Sequence, residues 1–175
     1  MVAIPEKNLT FEFPDEWQVI KYDDSNFYRK RFEQMDDVKG LDFLARTDAV
    51  LWMIEARDFR GYRIQNKKRM QNNELTLEVA KKVRDTVAVL YDAHRFENQE
   101  LRSFHSFLFG RNDPTARLEV ILLLEEDRPQ SGHKQFKAVR SNLVKALKQR
   151  LRFLSIRVSV HNRDDLPDDY GWSVT

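Results

Sequence analysis

The sequence predicts an α/β protein of the α+β kind, a mixed central β-sheet flanked by helices, on three observations. Short segments with strand-type alternation take turns with two long segments of helical period. One nearly continuous apolar run, ARLEVILLL at 116–124, has the pattern of a strand buried on both faces. A chain of 175 residues, 41% hydrophobic and with 12 Phe, 5 Tyr and 3 Trp, is enough to fill one core. No repeat, low-complexity stretch or Pro/Gly/Ser linker divides it, so a single domain over 1–175 is expected.

The elements follow in order. WQVIKY at 17–22 alternates like a short strand, and 24–34 suits a helix opened by an Asp or Ser cap. VKGLDFLAR at 38–46 and VLWMIEARDF at 50–59 read as two central strands joined by a tight turn at Thr47, Asp48 and Ala49. Residues 73–95 have the helical period, with Leu77, Ala80, Val83, Val87, Leu90, Tyr91 and His94 on one side. After the apolar strand come an amphipathic helix at 133–152 and a last alternating strand, LSIRVSV, at 154–160.

Composition excludes several chemistries. Without cysteine there is no disulfide, thiolate nucleophile, Cys-zinc site or iron-sulfur cluster. The five glycines are too scattered for a Walker loop or a dinucleotide fingerprint. His94, His105, His133 and His161 lack zinc-ligand spacing, and no serine sits in a nucleophile elbow. No run reaches the ~18 apolar residues of a membrane span, and MVAIPEKNLTFEF lacks the basic region followed by an apolar run that an export signal is expected to show. A cytoplasmic protein with no membrane association is expected.

The net charge of +2 conceals a division along the chain. Residues 1–28 hold six acids against Lys7 and Lys21, 128–163 hold ten Lys or Arg and no acid, and the tail is acidic again at Asp164, Asp165, Asp168 and Asp169. Such asymmetry suits a surface that meets a polyanion on one side.

Asp42 and Glu55 interrupt strands that are otherwise apolar on both faces, and a buried carboxylate needs a reason. If the turn spans 47–50, Arg46 faces Leu51 and Asp42 comes opposite Glu55, with Arg57 two residues further on the same face. Two carboxylates so close repel unless they share a proton or hold a hard cation. The alternative is an ion-pair network of the three residues with no metal.

The pattern GLDFLA, a short turn, then LWMIEARDFR resembles the metal-binding hairpin of the restriction-endonuclease-like, or PD-(D/E)XK, nucleases, and the likeness spans roughly residues 15–125. It implies that Asp42 and Glu55 hold magnesium or manganese and that Arg57 stands where the family has Lys, giving a catalytic set of Asp42, Glu55 and Arg57. It further implies a magnesium-dependent deoxyribonuclease or a catalytically silent module of the same fold that binds nucleic acid or a protein. Arg cannot act as a base, although its planar fork suits phosphate. On this reading Arg57→Lys should raise cleavage.

Beside the hairpin, Arg60, Arg63, Lys67, Lys68 and Arg69 form a basic stretch with Tyr62 available for stacking, and Lys82 on the following helix lies near enough to join it. These residues are the expected contacts to nucleic acid, with DNA favoured over RNA. Arg84 borders the apolar stripe, where Glu55 or Asp58 could partner it, and Glu33 could complete a metal shell but reads better as a solvated helix residue. The row Lys134, Lys137, Lys145, Lys148 and Arg152 reads as the solvent face of a core helix. A homodimer is compatible with all of this.

Overall fold

A computed structural model describes residues 1–62, 73–110, 113, 115–127 and 133–175. In chain order the strands are β1 (Val2–Glu6), β2 (Leu9–Phe13), β3 (Gln18–Lys21), β4 (Phe43–Arg46), β5 (Val50–Asp58), β6 (Arg117–Glu125), β7 (Arg157–His161) and β8 (Ser173–Val174). The helices among the described residues are α1 (Asn26–Arg31), α2 (Glu74–Arg95), α3 (Arg102–Phe109) and α4 (His133–Arg150). The mixed α+β class is therefore as the sequence predicts.

Five strands in the order β3-β4-β5-β6-β7 form the central sheet. The first three pair antiparallel and the last three parallel. Parallel neighbours cannot be joined by a tight turn, so α2 and α3 lie in the chain between β5 and β6, and α4 between β6 and β7. Residues 50–56 of β5 and 119–125 of β6 are buried throughout, which explains their near-continuous apolar sequence.

Alternation divides the side chains between two cores. Leu51, Met53, Val120, Leu122, Leu124, Val158 and Val160 face the helices, where Val79, Val83, Leu90, Leu143, Leu147 and Leu151 meet them. Trp52, Ile54, Ile121 and Leu123 face a second, aromatic core shared with Leu9, Phe11, Phe13, Phe43 and Trp172.

That second core belongs to a feature the sequence reading treated only as an acidic segment. Strands β1, β2 and β8 form a small antiparallel sheet. Leu9, Phe11 and Phe13 point inward while Thr10 and Glu12 are only half-buried, so the acids of this segment decorate a hairpin. Helix α3 fills part of a stretch to which the sequence assigned no element, and it buries Phe104, His105 and Phe107.

Two further expectations shift. The strand over 38–46 contracts to β4, because the backbone N–H groups of Gly40 and Leu41 are taken by the Tyr28 hydroxyl at 2.9 Å and Thr86 Oγ1 at 3.2 Å instead of a neighbouring strand. The inner face of α2 runs through Leu75, Val79, Ala80, Val83, Thr86, Leu90 and Ala93, leaving Leu77 and Tyr91 exposed. Polar Lys82, Asp85 and Thr86 sit on the buried side, so apolarity alone gave the wrong helix phase.

Candidate functional site

The β4–β5 register is the one the turn implies: Arg46 lies opposite Leu51 and Phe43 opposite Ile54, and the next step outward sets Asp42 against Glu55. Asp42 is locked at this point. Its carbonyl accepts from the Tyr22 N–H at 2.8 Å and its Oδ2 accepts from the Ala56 N–H at 2.7 Å. The approach to it is fixed from α2, where Asp85 accepts from the Lys39 N–H and Thr86 from the Leu41 N–H. Gly40 is required here, since a Cβ would come within 2.8 Å of the Tyr22 ring.

Glu55, on β5, is fully buried, and Asp42 nearly so. Between them, from one turn of α2, comes the ammonium of Lys82, 2.9 Å from the Glu55 carboxylate and 3.5 Å from Asp42 Oδ1. Both carboxylates thus touch one nitrogen, and the ammonium occupies the space between them, where a shared magnesium would need their oxygens within roughly 4 Å of each other. Arg57 Nη2 lies 2.8 Å from Glu55 and 2.5 Å from Glu78, one helical turn before Lys82. The side chains of Arg57 and Glu78 form the more open edge, at 14% and 25% exposed.

Electrostatics follow from burial. Desolvation, then the neighbouring Asp42 charge, push the Glu55 carboxyl up to about 7, against the opposing pull of Lys82 and Arg57. For Lys82 burial is the largest single influence and lowers the pKa, but Glu55 and Asp42 together outweigh it and the net direction is up. Glu55 and Lys82 thus shift the same way for different reasons, the acid through burial and the charge of Asp42, the amine through the two carboxylates. A further acid stands near: Asp23, on the turn after β3, has a buried Oδ1 with no hydrogen bond, and burial followed by the charge of Asp42 raises it to about 6.

Asp42, Glu55, Arg57 and Lys82 therefore come together, and Lys82 turns toward the carboxylates instead of outward. Arg60 is held by Asp58 through Nε at 2.8 Å and Nη2 at 2.7 Å. Arg63, Lys67, Lys68 and Arg69 lie outside the described residues. Arg84, expected to reach Glu55 or Asp58, instead binds Asp85 and is 57% exposed, because it falls one step off the inward phase of α2. Glu33 is exposed, away from any shell. Glu78 was missed, though its spacing of four from Lys82 would have marked it once Lys82 was known to face inward.

A divalent cation fits the donor set in part. Glu55 Oε1 is buried without a well-aligned hydrogen bond, and among the described residues Asp42 Oδ1 has the long contact to Lys82. Among the described residues no group of three or more His, Asp or Glu side chains is disposed to hold a metal. Two carboxylates suffice for magnesium, which ordinarily keeps several waters. No helix among the described residues is long and apolar enough to cross a membrane.

No family model matches the chain, and no solved structure does. The chain is similar to a curated protein of Neisseria meningitidis serogroup A, a cysteine–tRNA ligase, at 27% identity over 154 residues. The match takes in 71% of this chain and 21% of that protein, so the chain spans about a fifth of its relative's length.

Proposed function

We propose that the protein is a restriction-endonuclease-like, divalent-metal-dependent phosphodiesterase acting on nucleic acid, with Asp42 and Glu55 as metal ligands. The observation that carries this reading is the Lys82 ammonium, buried 2.9 Å from Glu55 on the same sheet face as Asp42. The motif position on β5 holds Arg57, which cannot give up its proton, but the helix supplies an amine that can.

In hydrolysis a water oxygen bonds to phosphorus, the bond from phosphorus to the leaving oxygen breaks, and that oxygen takes up a proton. Magnesium or manganese, when bound, would polarise the phosphate and acidify the attacking water. Lys82 Nζ carries the proton nearest the two carboxylates and can donate to a phosphoryl oxygen as its charge grows. The carboxylates that keep Lys82 protonated are the ones that would share their charge with the cation, which leaves burial to lower its pKa. Arg57, pinned between Glu55 and Glu78 at the open edge, adds fixed positive charge there.

The second reading is a catalytically silent module of the same fold. It is favoured by the closed pairing of Lys82 and Arg57 with Asp42, Glu55 and Glu78, which balances much of the buried charge without a metal. The relative's name, a ligase acting on tRNA, adds RNA to DNA as a substrate class to be tried.

The experiment is cleavage of plasmid, single-stranded DNA and transfer RNA with Mg²⁺ or Mn²⁺, comparing wild type with Lys82→Ala and Glu55→Ala. Metal-dependent cleavage that falls about 100-fold in both variants is expected. Salt-sensitive binding with no cleavage of any substrate, and no calorimetric Mn²⁺ binding, would leave the silent module.

A further inference from the structure

Away from Asp42 and Glu55, a cleft of about 480 Å³ opens at the start of the edge strand β7, between the sheet face of Trp52 and Glu119 and the last turns of α4. That volume is in the range of small-ligand sites. Three cationic side chains from three elements line it, Arg117 at the start of β6, Arg157 at the start of β7 and Lys148 in the last turns of α4, and they outnumber its two acids, Glu119 and Asp169, by one. Glu119 lies between the two arginines and opposite Arg157 in the strand register. It is buried, yet each guanidinium stays 3.9 Å away, too far for a hydrogen bond. The hydroxyls of Ser159 and Tyr170, 3.5 Å apart, stand on the same wall, and Trp52, backed by Trp17 at 4.5 Å, supplies a flat apolar surface.

A set of this kind asks for two things at once. Three cations at one mouth, two of them with open guanidinium forks, suit an oxyanion of more than one charge, since a lone carboxylate would be matched by one fork. The Glu119 carboxylate accepts only, and among the described residues its charged neighbours stay at 3.9 Å, so it is matched by a donor on the ligand. The hydroxyls and the Trp52 and Tyr170 rings suit a ring system carrying both polar and planar parts.

We propose that this cleft binds a nucleotide unit, with its phosphate at Arg117, Arg157 and Lys148 and a ribose hydroxyl or base amine donating to Glu119. The unit belongs either to a free nucleoside monophosphate or to the 5′-phosphorylated end of a strand. The assignment does not depend on the carboxylate cluster being catalytic.

The test is calorimetric titration of the whole chain with AMP, GMP, inorganic phosphate and a tetranucleotide with or without its 5′-phosphate. Saturable nucleotide binding tighter than about 1 mM is expected. The Arg117→Ala/Arg157→Ala double variant should weaken it about tenfold or more. Glu119→Gln should weaken nucleotide but not inorganic phosphate, and Glu55→Gln should change neither. A preference for the phosphorylated tetranucleotide assigns the site to a strand end, and a preference for the mononucleotide to a free ligand; both sustain the proposal. Absence of saturation, inorganic phosphate binding as tightly as nucleotide, or unchanged affinity in the double variant overturns it. If the double variant melts below the assay temperature, Lys148→Ala, on the exposed side of α4, carries the same prediction.

Discussion

On the helix-covered face of the central sheet, Asp42 and Glu55 are closed in by Lys82 and Arg57 at 2.8 to 3.5 Å. On the opposite face, Glu119 meets Arg117 and Arg157 only at 3.9 Å, and both arginines are largely in solvent, at 47% and 69% exposed. Both places combine buried acid with Lys or Arg, yet one has its charges matched within the protein and the other leaves them available. The difference comes from what packs on each face. Helix α2 seals the first, with Lys82 buried between carboxylates, whereas the second lies at the edge strand β7 where no further strand follows. A closed cluster holds its geometry at a stability cost that any single removal exposes, and an open one keeps its hydrogen-bonding capacity for something else.

The largest effect should come from removing the central cation. Lys82→Met leaves Asp42 and Glu55 buried with only Arg57 to answer them, and the expected loss is about 3 to 5 kcal/mol of unfolding free energy. Urea denaturation near pH 7 measures it. A loss below about 1 kcal/mol would mean that the cluster is far more hydrated than its burial indicates.

Next in size is a pH effect at Glu55. Its folded pKa, about 7, stands above its ordinary value of 4.5, so the folded state holds the proton more tightly than the unfolded chain. Its contribution is therefore most favourable below pH 4.5, declines as pH rises toward 7, and is constant above. Relative to Glu55→Gln, which cannot titrate, wild type should lose roughly 3 kcal/mol between pH 4.5 and pH 8. A flat difference across that window would place the charge balance elsewhere in the cluster.

Arg57→Lys sharpens the same comparison. From the strand motif alone this change should raise cleavage, but an amine already reaches Glu55 from α2. The expected outcome is no gain in metal-dependent cleavage and a loss of about 1 to 3 kcal/mol, because one fork now serves both Glu55 and Glu78. Cleavage and melting measured on one preparation separate the two; a clear rise in turnover would return the catalytic amine to β5.

How much of this was legible depends on whether the contact is local. The meeting of Asp42 and Glu55 could be counted outward from a short turn, because side chains alternate and a hairpin fixes its register. The hairpin of β1 and β2 was equally local, and LTFEF shows the alternation, but its acids marked it only as an acidic N-terminal segment. Lys82 needed the helix phase, and the phase was set by polar residues, Asp85 and Thr86, that are buried because they hold the backbone leading to Asp42. No apolar count could give that. The Glu119 cleft depends on the parallel register of β6 and β7, which joins residues nearly forty apart through a crossover helix, and sequence carries no mark of that pairing.

The smallest effect, and the one that completes the comparison, is Glu119→Gln. Its two ion pairs are long and end on exposed arginines, so solvent screens them and little Coulomb energy is lost on neutralisation. The amide keeps the shape and one acceptor, so the side chain can remain where it is, beside Trp52 and Arg157. Unfolding free energy should change by less than about 1 kcal/mol, far below the cost expected at Lys82. Denaturant midpoints for the two variants, taken side by side at low and at 0.5 M salt, make the contrast direct. If Glu119→Gln instead costs about as much as Lys82→Met, the acid is a structural partner of its arginines, the faces do not differ in kind, and the cleft loses the group that was to select its ligand.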